Sequence, residues 1–281
     1  MAKVAQCEAN MLGIIQDSPN RKDSSTQVTR ILFRNNGSQW EILNTMDKLR
    51  EIKTDSSRWT IINHGQSIGK LIIRDDIQLR FPDCDWCFTR DKLFRPIFVG
   101  EKIRIPDEDN KFGDWVRNFP NRPLVIVSQP QYADEEKWAE LDVADSVLAN
   151  LYPKLKEIIK HPHHCEGPPD YAALQIELKQ SDIEAFTAYS NNRGDMLVSA
   201  SFHPKHLECD GPLDKTWYPI WFFVADRTEM IGFNLEFLDA GDYDGDGKTE
   251  VIFEYTGYNE DGYVLYEPES GKKYEYLWKY H

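Results

Sequence analysis

Cationic residues are in short supply in this chain: 33 Lys and Arg stand against 47 Asp and Glu, a formal net charge of −14 over 281 residues. No basic block or arginine-rich stripe interrupts that excess, and without a positive footprint nothing neutralises a phosphate backbone, which argues against nucleic acid as a partner. Long apolar runs are missing as well. The longest, YPIWFFVA at 218–225, falls far short of the roughly 20 residues of a membrane-spanning helix and fits a buried strand. The opening stretch MAKVAQCEANMLGIIQ lacks the extended apolar region of a signal peptide. No Gly-x-Ser-x-Gly elbow, phosphate-cradling glycine loop or His-Glu-x-x-His motif occurs, so no catalytic set stands out.

Cysteines are few, five in all. Cys84 and Cys87 form CDWC among turn residues rather than at the start of a helix, which disfavours a thioredoxin-like pair. In an oxidising compartment Cys165 and Cys209 are the expected bridge, with Cys84 and Cys87 joined to each other or shared with Cys7. The stretch HPHHC places His161, His163, His164 and Cys165 together, a zinc-compatible composition. Its flanking prolines and glycine make it a connector, and a polar, dispensable loop is the expectation.

What the chain does have is short apolar segments punctuated by turn residues. VTRILFRNNGSQWEIL (28–43) and RWTIINHGQSIGKLIIRD (58–75) each read as a hairpin, with Asn-Asn-Gly and His-Gly at the turns. Further strand-like segments are PLVIVSQ, AALQIEL, DMLVSASF, YPIWFFVA, EVIFEY, GYVLYE and YEYLWKY. In GYNEDGYVLYE (257–267) the Asp261–Gly262 pair supplies the expected turn. One segment departs: between 134 and 161, Leu141, Ala144, Leu148, Leu151, Leu155 and Ile159 fall at helical spacing, with Pro153 expected to kink or split the helix. Aromatics at 12%, eight of them Trp, suit a closed or multi-hairpin β-structure. The expected fold is therefore mainly β, propeller-like or another multi-hairpin architecture. It would form a single β-rich domain over 1–281 with a helical excursion at 134–170 and a candidate boundary at 161–170.

The most informative stretch is DAGDYDGDGKTEVIFEY (239–255). Asp242, Asp244 and Asp246 alternate along a tight glycine-bearing loop, and Lys248 alone cannot neutralise them. Carboxylates this close raise one another's pKa unless a cation intervenes. Counting Asp242 as first, Gly247 is sixth, Lys248 seventh and Glu250 ninth. An EF-hand needs a bidentate Glu at the twelfth position and flanking helices; Phe253 stands there, and a β-rich run follows.

The loop instead resembles the calcium loops of FG-GAP and VCBS-type repeats, Asp-x-Asp-Gly-Asp-Gly-x-x-acid followed by an apolar strand. The resemblance covers a short stretch near the C-terminus and occurs once, with Glu at the ninth position where Asp is commoner. It implies Ca2+ as cofactor, held by the side chains of Asp242, Asp244, Asp246 and Glu250 and the carbonyl of Lys248. The first functional expectation is a non-enzymatic, calcium-stabilised β-protein acting through a binding surface, towards another protein in the manner of an inhibitor or immunity protein, or towards a glycan. The five cysteines favour neither compartment outright, but a calcium loop of low to moderate affinity suits the calcium-rich exterior, so a periplasmic or secreted home is expected; a cytoplasmic one stays open. The alternative function is a hydrolase using the His161–His164 loop or scattered carboxylates.

Overall fold

The computed structural model describes residues 10–17, 27–52, 58–74, 93–100, 111–112, 115–116, 123–129, 132, 134, 136–159, 178–202 and 219–279. All five cysteines, the His161–His164 cluster, the 161–170 boundary segment and most of AALQIEL lie outside them.

In chain order the first elements are β1 (Met11–Asp17), β2 (Gln27–Asn35), β3 (Trp40–Ile42), the short helix α1 (Met46–Arg50), β4 (Arg58–Asn63), β5 (Gln66–Arg74) and β6 (Arg95–Val99). The small pair β7 (Lys111–Phe112) and β8 (Trp115–Val116) precedes β9 (Leu124–Val127). Next come β10 (Ala139–Glu140), α2 (Asp145–Ile158), β11 (Ile183–Ser190), β12 (Met196–Phe202), β13 (Ile220–Val224) and β14 (Thr228–Phe233). The chain closes with β15 (Leu235–Gly241), β16 (Glu250–Gly257), β17 (Glu260–Glu267) and β18 (Lys272–Lys279). Two compact units result: one from Met1–Lys137 together with Glu236–His281, the other from Trp138–Leu235. The fold is mainly β and multi-hairpin. Its antiparallel sheets differ in size, and among the described residues neither repeated propeller blades nor a closed barrel occurs.

In the first unit a seven-stranded sheet runs β3-β2-β1-β9-β4-β5-β6, and a four-stranded sheet runs β15-β16-β17-β18. One apolar cluster joins the two: Leu12, Phe33 and Val125 of the larger sheet pack with Leu238, Ile252 and Leu265 of the smaller. Side chains alternate across a strand, so the neighbouring residues Ile15, Ile31, Trp59 and Ile126 form a second cluster on the opposite face, closed by Leu49 and Ile52 at α1. Being covered on both faces is why β2 is buried almost without a break, its polar Thr29 and Arg30 included, rather than in alternation.

The β1–β2 register shifts at Leu12/Gly13, where Leu12 opposes Phe33 and Gly13 opposes Ile31. The extra residue, Leu32, is a bulge that lets both Leu32 and Phe33 face the first cluster. Gly13 is required opposite the bulge, because a Cβ there would overlap the Arg30 carbonyl. The β4–β5 hairpin closes through His64 (φ 50°) and Gly65 (φ 69°) between the Asn63–Gln66 pair, the two positive φ values of a type I′ turn.

The second unit is a five-stranded sheet, β10-β11-β12-β13-β14. Leu151 and Leu155 of α2 pack on Val198, Ala200, Phe202 and Phe222. A helix lies within 134–160 as expected, but it starts later than the apolar spacing suggests and is not split at its proline. Ala139 and Glu140 are in β-pairing with Ser190 and Tyr189, and Leu141 N–H bonds the Ala188 carbonyl, so the helix begins only at Asp145. Pro153 sits inside one continuous helix. Burial of Leu151 and Leu155, one on each side of it, offsets the lost backbone bond. The turn after β16 is also shifted from expectation: Gly257 pairs with Glu260, so Tyr258 and Asn259 (φ 57°) make the turn, and Asp261–Gly262 belong to β17.

Candidate metal centre

The acidic loop connects β15 to β16. Tyr243 is wholly buried in the first apolar cluster, its ring stacked on Tyr132 with centroids 6.0 Å apart. Driving that one side chain inward leaves its neighbours Asp242 and Asp244 to face outward. The loop then turns back on itself: Asp242 Oδ1 accepts the N–H groups of Gly245 (2.7 Å) and Asp246 (3.0 Å), and its Oδ2 accepts that of Gly247 (2.9 Å). Gly245 (φ 78°) and Gly247 (φ 83°) supply the left-handed backbone this winding needs. Glu250 opens β16 and is almost fully buried; its Oε2 accepts the Tyr243 N–H at 2.9 Å.

These constraints bring one carboxylate oxygen each of Asp242, Asp244 and Glu250 within 4.8 Å of one another. Asp246 is engaged differently. Its Oδ1 accepts the Lys248 N–H (2.9 Å) and its Oδ2 lies 3.5 Å from the Lys248 ammonium, which is equally far from Glu269. The cluster carries its crowding as raised pKa values. Burial, then the charge of Asp244, pushes the Glu250 carboxyl up to about 9. Burial, then Asp246, pushes Asp244 up to about 6.

Residues remote in sequence hold the loop in place. Asn10 Nδ2 donates to the Asp244 carbonyl, Asn35 Nδ2 to Asp244 Oδ2, and Gln129 Nε2 to the Tyr243 carbonyl at 3.0 Å. The Thr249 hydroxyl donates to Glu136. Beneath the loop, buried Asp239 accepts the Gly65 N–H at 2.8 Å, tying the β4–β5 turn to β15. None of these partners follows from the loop's spacing. Asn35 was legible only as part of a turn, and Asn10, Gln129 and Glu136 carry no local signal. Beside the loop lies a polar cavity of ≈ 500 Å³ whose lining includes Asn35, Ser38, Asp244, Lys248 and Glu269.

Of the five residues expected from the loop pattern, the structure thus gathers Asp242, Asp244 and Glu250 and engages Asp246 with Lys248. Every donor in the gathered group is a carboxylate oxygen, a hard set suited to a hard cation. Comparison with protein-family models, with curated proteins and with solved structures gave no match.

Proposed function

We propose that this protein is a calcium-stabilised, exported β-protein that acts by binding rather than by catalysis. The observation that carries the reading is the convergence of Asp242, Asp244 and Glu250 on one point, with Glu250 almost fully buried. The three carboxylates each bring one oxygen to that point, towards the six to eight oxygen ligands that calcium takes in flexible geometry. Asp246 and the Lys248 carbonyl would complete the set as the loop resemblance implies. A bound ion supplies the positive charge that the loop lacks and fixes the β15–β16 connection. An ion saturated by protein oxygens leaves no open position for a substrate, so its role is structural.

The surface so stabilised is the one that would meet a partner. With a net charge of −14, a protein presenting a basic face is the favoured class, in the manner of an inhibitor or immunity protein. The modest affinity typical of extracellular calcium modules fits a periplasmic or secreted site. Thermal melting tests the reading. Calcium raises the melting temperature of metal-free protein and EDTA returns it, and Asp244→Ala removes most of the response. A melting temperature indifferent to both additions refutes it.

A further inference from the structure

We infer that Asn35, distant from the acidic loop in sequence, is a positioning residue that sets how tightly the loop holds its cation. The inference rests on the calcium reading above. Asn35 ends β2 and is 8% exposed. Its orientation is dictated from both sides. Oδ1 accepts the Gly37 N–H at 2.6 Å, which leaves Nδ2 to donate to Asp244 Oδ2. Its backbone N–H bonds the Asn10 carbonyl at 2.7 Å, and the Asn10 amide in turn donates to the Asp244 carbonyl. Asp244 is therefore gripped at side chain and main chain by the adjoining ends of β1 and β2.

The other two members of the group are placed locally. Asp242 takes the loop's own N–H groups, and Glu250 takes that of Tyr243. Asp244 Oδ1 has a loop donor, the Asp246 N–H at 3.1 Å, but Oδ2 is oriented from the larger sheet. A neutral amide suits this task. A lysine or arginine would orient the carboxylate too, but its charge would oppose the incoming cation. The amide restricts Asp244 without adding a positive charge to the site. Without it, the carboxylate must be ordered at the moment of binding, which weakens affinity. Replacing such supporting partners of metal ligands typically costs about 10–100-fold in affinity.

The discriminating variant is Asn35→Ser. A serine hydroxyl can still accept the Gly37 N–H, as in the turns that Ser shares with Asn, but it is too short to reach Asp244. Calcium affinity is measured by titration calorimetry on metal-free full-length protein, well below the melting temperature. Asn35→Ser and Asn35→Ala are each expected to weaken calcium binding by about 10-fold or more. Asn36→Ala, whose side chain among the described residues bonds only Ser38 and Gln39 of the exposed turn, is expected to leave affinity unchanged. A purely structural role for Asn35 would lower the melting temperature of the metal-free protein while folded molecules bound calcium as before. That result, or an Asn35→Ser affinity within twofold of wild type, overturns the inference while leaving the calcium reading standing. A wild-type protein that binds no calcium removes both.

Discussion

Replacing Glu250 by Gln should stabilise the metal-free protein and at the same time abolish its response to calcium. The carboxyl is almost fully buried, and burial together with Asp244 raises its pKa from 4.5 to about 9. A carboxyl raised in the folded state contributes its full stability below 4.5 and loses it progressively as pH rises through about 9. At pH 7 the unfolded chain is ionised and the folded chain protonated. With 1.36 kcal/mol for each pH unit above 4.5, folding at pH 7 carries a penalty of about 3 kcal/mol relative to acid conditions. Gln keeps an oxygen to accept the Tyr243 N–H but has no charge to desolvate. Urea denaturation of both proteins in EDTA at pH 5, 7 and 9 reads the effect. The wild type should weaken across the series, with the Gln variant gaining on it by about 3 kcal/mol at pH 7 and by more at pH 9. Added calcium should strengthen the wild type, by about 2.7 kcal/mol at a hundredfold excess over the dissociation constant, and should leave the variant unchanged. A metal-free Gln variant less stable than wild type at pH 7 and 9 would refute the electrostatic reasoning.

Two further outcomes follow from the same geometry. Calcium must displace the proton that Glu250 holds below about 9, so binding at pH 7 should release protons and its apparent affinity should fall as pH falls; calorimetry in buffers of different ionisation enthalpy measures this, and a buffer-independent heat contradicts it. Gly13→Ala should destabilise the first unit by about 1–3 kcal/mol, the usual cost of overpacking, because its Cβ would meet the Arg30 carbonyl at the Leu32 bulge; an unchanged urea midpoint would show that the bulge can relax.

Local chemistry was the legible part of this fold. The Asn-Asn-Gly and His-Gly turns lie where the residue types demand them, and EVIFEY, GYVLYE and YEYLWKY form three consecutive strands. The errors arose where tertiary pairing overrode local preference. The segment before Asp145 has helical spacing but is drawn into pairing with β11, and Asn259 rather than Asp261–Gly262 turns the β16–β17 hairpin. The placement of β9 between β1 and β4, which builds the centre of the large sheet, leaves no trace in any short window. The same holds for the site. The loop announces its own carboxylates through their alternation, whereas the burial of Glu250 and the amides of Asn10, Asn35 and Gln129 are consequences of which strands end beside it.

Calcium titration of metal-free, full-length protein tests the loop's role most directly. One high-occupancy calcium per chain, lost together with the thermal response in Asp244→Ala and Glu250→Gln, is the predicted result. Stoichiometric zinc retained by the native protein, with no calcium uptake by the metal-free chain, would contradict it.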